Sequence, residues 1–580
     1  MFIVLNLNYY GGVRKKFVVA VLALLLTHLS VDVSRAEENI DRWAPEQQYN
    51  SPKWPGPGYI GFGATYSGNY LTPNYLLALG NKAINACPSM KDAKCNDKDI
   101  YTISTGLTLP TCKTDDQIDC LSKFEAFSRE GTKLEITNLG EFKTFDEFGF
   151  VGNSDASLPN PGTPTIYQIP GAPHPGGDKY IVVPYYQSQT GLTSDVYYVA
   201  NFNVNQAARG FRLMIFAITI YDGEFDKKEL IDDPSRYAYG SRTSIQIKNN
   251  NQCIYSNSTQ CLVARAIPDN VRFSLGLRTS FALSNHIFGR VSEVEVVTGR
   301  DKQGNHLLEI SGFAQKVPMF GKWMKKNELP KELVEFYAKR VGKMDGWGAS
   351  KEEQLQPGEN WSLFRNSGQT WIDGLEEIQL WLKIIDKASL TPSSWSLEFQ
   401  MQQGTGSLAS FSPGRCYYPE PSLIVTTNAS DFLSTSPTFD EKTQEIVYTV
   451  AAPHLLPNGE VFAGSYELII RSDTARCLYN FSSAPLKASI QVTSADNKEQ
   501  IAVTNMVEKN GWIYLTARGF TFSTPKLKVS LFQEQVAVAP KVETPKKSKT
   551  VVTLTCAKGK KTRYVEGTKP KCPKGYKKVV

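Results

Sequence analysis

Histidine is scarce in this sequence, and the short motifs that usually carry enzyme chemistry are missing. The 580 residues include five histidines, and none stands in the His-Glu-x-x-His spacing of a zinc hydrolase. The chain also lacks the Gly-x-Ser-x-Gly turn of many hydrolases and a glycine-rich loop long enough to hold phosphate. A Ser/His/Asp arrangement stays open, since its members need not be close in sequence. The sequence therefore nominates no catalytic residue, no metal site and no cofactor, and His174 in PGAPHPGG is expected to serve a turn.

Charged residues are also few, and the positive charge is unevenly placed. Lys, Arg, Asp and Glu make up 21% of the chain and aromatic residues 11%, a balance typical of β-rich exported proteins rather than helical bundles. The formal net charge is +7, but residues 541–580 hold thirteen Lys or Arg and two Glu, a net +11. The remaining chain therefore carries 7 − 11 = −4. A basic tail on a slightly acidic body argues against nucleic acid as a partner of that body.

Long apolar runs are missing except near the N-terminus. Basic residues at 14–16 precede ten apolar residues at 17–26, and small residues at 34 and 36 follow. The run is shorter than the roughly 20 residues that span a bilayer, so the pattern predicts a secretory signal over residues 1–36. An uncleaved membrane anchor is the alternative. Because residues 1–12 fit the pattern poorly, we expect translation to start at Val13 rather than Met1. The mature chain is expected to be secreted or held at the cell surface, without a transmembrane span.

Ten cysteines follow the predicted signal. An even number in an exported chain predicts disulfides rather than bound metal, and the Cys-x7-Cys spacing does not match paired zinc ligands. Because short loops close most readily, we expect pairs of sequence neighbours, although other pairings stay open. These pairs are Cys87–Cys95, Cys112–Cys120, Cys253–Cys261, Cys416–Cys477 and Cys556–Cys572. The fourth pair would tie the start of the last large β segment to one of its middle strands.

Apolar patterning predicts a mainly β, multidomain fold with β-sandwich-like domains, a few short helices and disulfide links. Residues 271–281 alternate with period two, as in a strand with one face in the core. Two helices are expected to begin near Pro330 and Asp373. The predicted segments are the signal peptide (1–36), an aromatic- and cysteine-rich β region with a Pro/Gly-rich connector (37–178), a central β domain with two helices (179–415), a β-sandwich (416–535), a Pro/Lys linker (536–550) and a basic tail module (551–580).

Two sets of side chains are candidates for binding. Trp43, Trp54 and Tyr59 lie among glycines and prolines, where exposed rings could stack on sugars; the alternative is that they fill a core. The lysines of the tail could hold anionic wall polymer or lipid headgroups; the alternative is a tail that only adds solubility. A Cys556–Cys572 disulfide would preorganise these lysines, which a solubilising tail does not need. The candidate lysines are Lys558, Lys560, Lys561, Lys571, Lys574, Lys577 and Lys578.

Several stretches resemble known exported proteins. The segment TLTCAKGKKTRYVEGTKPKCPKGYKK resembles a C-terminal tail found on many secreted actinobacterial proteins. The stretches CIYSNSTQCLVARAIPDNVRFSLGLR, SSWSLEFQM, RCLYNFSSAPLKASIQV and GWIYLTARGFTFS resemble blocks of a large family of exported actinobacterial proteins with no established function. The resemblance covers much of residues 37–580, and the tail is its most specific part. It implies a Gram-positive secreted or cell-surface location and implies no activity.

The sequence leaves three functional hypotheses. We expect a binding or adhesion role at the cell envelope, with the basic tail retaining the protein on anionic wall polymer or carbohydrate. One alternative is an exported carbohydrate-active hydrolase, which would need two carboxylates about 5–10 Å apart. The other is a structural envelope protein of the surface-layer type. The sequence does not identify the ligand, the oligomeric state or a catalytic pair.

Overall fold

Strands dominate this fold, which confirms the predicted mainly β class with several sheets, short helices and disulfides. The computed structural model describes residues 55–56, 58–64, 74–80, 84–93, 100–144, 149–154, 158–191, 208–225, 228–232, 243–247, 253–283, 286–338, 363–366, 372–399, 416, 421–432, 437–482, 486–493, 499–500, 503–522, 526–533 and 552–579. The predicted signal peptide and the linker at 536–550 lie outside these ranges.

The chain forms two compact units. The first comprises residues 1–483 and 487–532, and the second comprises residues 484–486 and 533–580. We call the described part of the first unit the body, and we call residues 552–579 of the second unit the tail module.

The N-terminal part of the body is organised around two long strands. Its strands are β1 (Tyr59–Ala64), β2 (Tyr75–Gly80), β3 (Ile84–Ala86), β4 (Ile100–Thr108), β5 (Cys120–Phe127), β6 (Thr137–Glu141), β7 (Thr165–Gln168), β8 (Lys179–Gly191), β9 (Ala208–Asp222), β10 (Lys228–Asp232) and β11 (Thr243–Ile247). β8 pairs antiparallel with β4, β7 and β9. β8 and β9 thereby join strands that are far apart in sequence.

The middle of the body confirms the predicted alternation at residues 271–281. Its elements are β12 (Cys253–Ser256), β13 (Gln260–Arg265), β14 (Arg272–Thr279), β15 (His286–Gly289), β16 (Val291–Arg300), β17 (His306–Lys316), β18 (Phe320–Lys325), a 3-10 helix (Lys326–Glu328), α1 (Lys331–Ala338), β19 (Leu363–Asn366), α2 (Ile372–Leu382) and β20 (Ser393–Phe399). Phe273, Leu275 and Leu277 of β14 are buried, while Arg272 and Arg278 are half-buried. β14 lies between β5 and β17, so its apolar face becomes part of the largest core.

The two helices of this region cover a small separate sheet. β1 pairs with β18 and β19, and its Phe62 stacks on Trp381 of α2 with ring centroids 5.7 Å apart. Leu333 and Phe336 of α1 are buried in the same cluster. Burial of large apolar side chains stabilises the packing, and the helices begin at the predicted places.

The C-terminal part of the body contains two sheets that face each other. Its elements are β21 (Leu423–Thr427), β22 (Asp431–Phe432), β23 (Thr438–Asp440), β24 (Glu445–Ala451), β25 (Ala463–Arg471), α3 (Ser472–Tyr479), β26 (Leu486–Thr493), β27 (Glu499–Gln500), β28 (Val503–Lys509), β29 (Trp512–Thr521) and β30 (Lys526–Gln533). One sheet contains β21, β25, β29 and β28, and the other contains β22, β24, β30, β26 and β27. The buried rings of Tyr448 and Tyr466 meet between them at 5.9 Å.

The predicted segment boundaries at residues 178 and 415 fall within the body. Hydrogen bonds between β4 and β8 join residues on either side of the first boundary. The parallel pairing of β15 with β21 joins residues on either side of the second. The three predicted segments therefore share sheets, and their folding as separate domains stays a prediction.

Four of the predicted disulfides are confirmed: Cys112–Cys120, Cys253–Cys261, Cys416–Cys477 and Cys556–Cys572. Cys87 is disulfide-bonded as well, and its predicted partner Cys95 lies outside the described residues. Cys477 lies on α3, so the expectation that it belongs to a strand was wrong.

The reason is local, because residues 472–479 follow a helical pattern. Ala475, Leu478 and Tyr479 are buried, and Asn480 ends the helix at a φ of 56°. That left-handed conformation is a common helix terminator.

Candidate binding site in the basic tail module

The tail module is built on a β-hairpin. β31 (Val552–Lys558) pairs antiparallel with β32 (Lys561–Gly567), and Lys558 lies opposite Lys561. Only Gly559 and Lys560 connect the strands, and Gly559 has a φ of 58°. Two-residue hairpin loops need such a left-handed position, which glycine adopts without steric cost. The threonines, valines and tyrosine of the two strands favour extended structure.

A third short strand and a disulfide close the module. β33 (Lys577–Lys578) pairs with β31, so that Lys577 lies opposite Ala557 and Lys578 opposite Cys556. Cys556 is fully buried and is bonded to Cys572. The disulfide limits the unfolded chain and so favours the folded module.

The two faces of the hairpin differ. Residues directly opposite each other in an antiparallel pair share a face, so Cys556 and Arg563 lie on one face with Lys558 and Lys561. We call this the covered face, because residues 572–576 lie against it. The disulfide attaches Cys572 there, and the Arg563 guanidinium lies 5.9 Å from the ring centroid of Tyr576.

A third contact places the same segment on the covered face. A Cβ added at Gly575 would lie 3.3 Å from the Lys558 ammonium nitrogen, so this lysine passes directly beside the turn. That turn is closed by a hydrogen bond from the Tyr576 amide to the Pro573 carbonyl at 2.9 Å. The hairpin loop and the 573–576 turn therefore bring their lysines to one end of the module.

The opposite face has a different composition. It carries Thr553 paired with Glu566, Thr555 with Tyr564, and Ala557 with Thr562. We call this the open face. Tyr564 is 73% exposed, and Thr553 donates a 3.2 Å hydrogen bond to Glu566. The open face is thus a hydroxyl-rich surface with one protruding aromatic ring.

Basic side chains dominate the surface of the tail module. Nine basic residues and one acidic residue, Glu566, lie between 552 and 579, which gives 9 − 1 = +8. All nine basic residues are exposed. They are Lys558, Lys560, Lys561, Arg563, Lys569, Lys571, Lys574, Lys577 and Lys578. Since the screening length is about 8 Å at physiological salt, charges this closely spaced act together on an approaching anion.

All seven lysines predicted as binding residues lie in this module. Tyr59, predicted with them as a second candidate set, lies in the body, where it is half-buried and opposite Lys325 in the β1–β18 pair. Trp43 and Trp54 lie outside the described residues. Sequence reasoning did not select Arg563 and Tyr564, although strand alternation along TRYVE could have indicated that they face opposite sides.

The charges of the body are arranged differently. Glu467 is 4% exposed and accepts hydrogen bonds from the amides of Glu293 at 2.9 Å and Val294 at 3.2 Å. Arg518 contacts both Glu467, at 3.0 Å, and Glu293, at 3.7 Å. These two carboxylates therefore share an arginine, an arrangement typical of an ion-pair network that holds strands together.

The half-buried His174 also makes its hydrogen bonds within the body. His174 lies in its predicted turn, where its Nδ1 accepts a hydrogen bond from the Gly176 amide at 3.1 Å. Its Nε2 lies 3.0 Å from the Lys179 carbonyl oxygen. Burial lowers the pKa of the imidazole below its ordinary value, because the charged form loses hydration.

Within the described ranges, no group of three or more His, Cys, Asp or Glu residues is placed to hold a metal ion. Among the helices that the structure describes, none has the length and apolarity required to cross a bilayer. No protein-family model matches the chain, and no curated protein matches it.

Proposed function

We propose that this chain is an exported binding protein of the bacterial cell envelope and that its tail module holds it on an anionic wall polymer. The observation that carries the proposal is the set of nine exposed basic side chains on one small disulfide-closed unit. A polyanion gains about 1 kcal/mol for each lysine or arginine brought near its surface. The preorganised module orders less backbone on binding than a free tail would.

Export is supported by the cysteine pairs. Disulfides persist in oxidising compartments, and the described body and tail contain four of them. The predicted signal over residues 1–36 and the resemblance to exported actinobacterial proteins favour the same location. A hydrolase or a surface-layer subunit remains a hypothesis from sequence.

The proposal predicts that binding depends on lysines of the tail module and not on lysines in general. In the protein expressed from residue 37, the triple variant Lys558→Gln, Lys560→Gln, Lys574→Gln should bind isolated anionic wall polymer about 100-fold more weakly. The matched control is Lys302→Gln, Lys331→Gln, Lys442→Gln, which removes three exposed lysines of the body. The control should retain the affinity of the parent protein.

Binding is measured by sedimentation with cell walls at several salt concentrations. Affinity should fall as salt rises, since exposed charges are screened. Walls stripped of anionic polymer should not retain the protein. Equal and salt-insensitive retention of the parent and the tail triple variant would contradict the proposal. Near- and far-ultraviolet circular dichroism checks that both triple variants are folded.

A further inference from the structure

The open face of the tail module exposes an aromatic ring among threonines, a feature that the lysines do not explain. We propose that Tyr564 and the threonines beside it form a sugar-binding face, so that the ligand is an anionic polymer carrying sugar substituents. This inference rests on the proposed function and specifies the chemistry of its ligand. It concerns a face of the hairpin that is separate from the covered face, on which Lys558, Lys561 and Arg563 lie.

The exposure of Tyr564 is the first argument. Its side chain is 73% exposed, more than that of any other large apolar or aromatic residue in the described chain. Tyrosine combines a flat apolar ring with a hydroxyl group that can donate or accept a hydrogen bond. A ring held out from a strand can pack against the apolar face of a pyranose. A module that required only positive charge would not need to expose this ring.

The neighbours of Tyr564 suit a sugar. Thr555 lies directly opposite on β31, and Thr553 and Thr562 share the open face. Side chains on directly opposed strand positions lie about 5 Å apart at Cβ, which keeps the face small and flat. Threonine hydroxyls both donate and accept hydrogen bonds, as sugar hydroxyls require. Glu566, next along the face, supplies a carboxylate acceptor.

The basic side chains of the module indicate that the polymer carrying the sugar is anionic. Lys577 lies opposite Ala557 and therefore on the open face, at the same loop end of the hairpin that carries Lys558, Lys560 and Lys561. A sugar stacked on Tyr564 thus has these cations on the side that faces the hairpin loop. This arrangement fits a polymer of phosphodiester-linked units that carry sugar substituents, because the sugar can stack on the ring while the phosphates meet the lysines. A membrane fits less well, because Val552, Tyr564 and Val579 are the large hydrophobic residues that the described tail module exposes.

The test compares two synthetic polymers, an unsubstituted poly(glycerol phosphate) and the same polymer bearing glucose. Binding to the protein expressed from residue 37 is measured by calorimetry. Tyr564→Ala should weaken binding of the glucosylated polymer about fivefold and leave the unsubstituted polymer unchanged. Tyr564→Phe, which keeps the ring, should retain most of the affinity. Val552→Ala removes an exposed apolar side chain from the other face of the same hairpin and should change neither affinity.

The outcomes separate this inference from the proposed function. Equal affinity of the parent protein for both polymers, or equal weakening of both by Tyr564→Ala, would overturn the sugar-binding face and leave retention on polyanions intact. Failure of the parent protein to bind either polymer would overturn both proposals. Binding to vesicles of phosphatidylglycerol that is lost in Tyr564→Ala would assign the face to a lipid surface and overturn the inference as well.

Discussion

The body and the tail module use charge in opposite ways. In the body, the half-buried Arg290 donates hydrogen bonds to the backbone carbonyls of Thr427 and Ser430 at 3.0 and 2.9 Å, and its guanidinium lies 4.4 Å from the ring centroid of Phe432. In the tail module, nine basic side chains are exposed and one carboxylate is present among residues 552–579. Arg290 is therefore satisfied by partners within the body, whereas the tail module leaves its basic side chains available to a partner.

The tail module differs from the body in composition, because it is rich in cations, and in geometry, because its fold holds these cations close together. Like charges a few ångströms apart repel each other, weakly in water and more strongly near a protein surface. The tail module holds its cations together with a hairpin, a third strand and the Cys556–Cys572 bond. These links keep the module folded despite the repulsion between its cations, and an anionic ligand would relieve that repulsion.

The largest expected effect concerns the disulfides of the two units. Cys416 and Cys477 are 61 residues apart, and a loop of that length corresponds to about 4 kcal/mol of stabilisation. The double variant Cys416→Ser, Cys477→Ser should lower the free energy of unfolding of the body by about that amount. Urea denaturation followed by tryptophan fluorescence measures it, since Trp395 and Trp512 are buried in the body.

The Cys556–Cys572 disulfide of the tail module is compared with the Cys416–Cys477 disulfide of the body. Cys556 and Cys572 are 16 residues apart, which corresponds to about 3 kcal/mol. Replacing both with serine should weaken binding to anionic polymer while leaving the body transition in place, because these cysteines lie in the other compact unit. A shift of the body transition as large as that of the first variant would contradict this division.

A smaller effect is expected from Glu467 in the body. Glu467→Gln keeps the size of the side chain but replaces one carboxylate oxygen by an amide donor, opposite the Glu293 and Val294 amides and Arg518. Hydrogen bonds to a charged group contribute about 1.5–3 kcal/mol, so we expect about 2 kcal/mol of destabilisation in urea titrations. Glu332→Gln on the exposed side of α1 is the matched control and should stay within about 0.5 kcal/mol. Similar losses in both variants would contradict a special role for Glu467.

The comparison also shows how far sequence reasoning reaches. Strand alternation at residues 271–281, the local cysteine pairs and the basic tail follow from neighbouring residues, and the structure confirms the first and four of the pairs. The parallel pairing of β15 with β21 joins His286 to Leu423, and no local pattern specifies such a contact. The assignment of side chains to the two faces of the tail hairpin depends on the register of its strands, which the sequence does not show.

Backbone irregularities were also beyond prediction. Glu293 has a φ of 53° at a point where the β16–β17 register shifts, and there its amide binds Glu467. A non-glycine residue in the left-handed region is uncommon, and its cost is offset by contacts with distant residues. Those contacts form only when the sheets assemble, so the chain around Glu293 gives no local signal of the bulge.

The smallest effect should appear as a pH dependence of the body. The Arg476 guanidinium donates hydrogen bonds to Glu508 at 2.7 and 3.0 Å, and this contact holds the pKa of the Glu508 carboxyl below its ordinary value. A lowered folded-state pKa adds stability above the unfolded pKa of about 4.3. That stability is lost as the pH falls through the folded-state value.

Glu508→Gln should therefore destabilise the body by about 0.5–1 kcal/mol at pH 7, since the pair is partly exposed. The difference from the parent protein should shrink steadily as the pH is lowered below about 4. Urea titrations at pH 7, 5, 4 and 3 measure it, with Glu332→Gln again as the control. A difference that stays constant over this range would show that Glu508 stabilises the body through packing rather than through its charge.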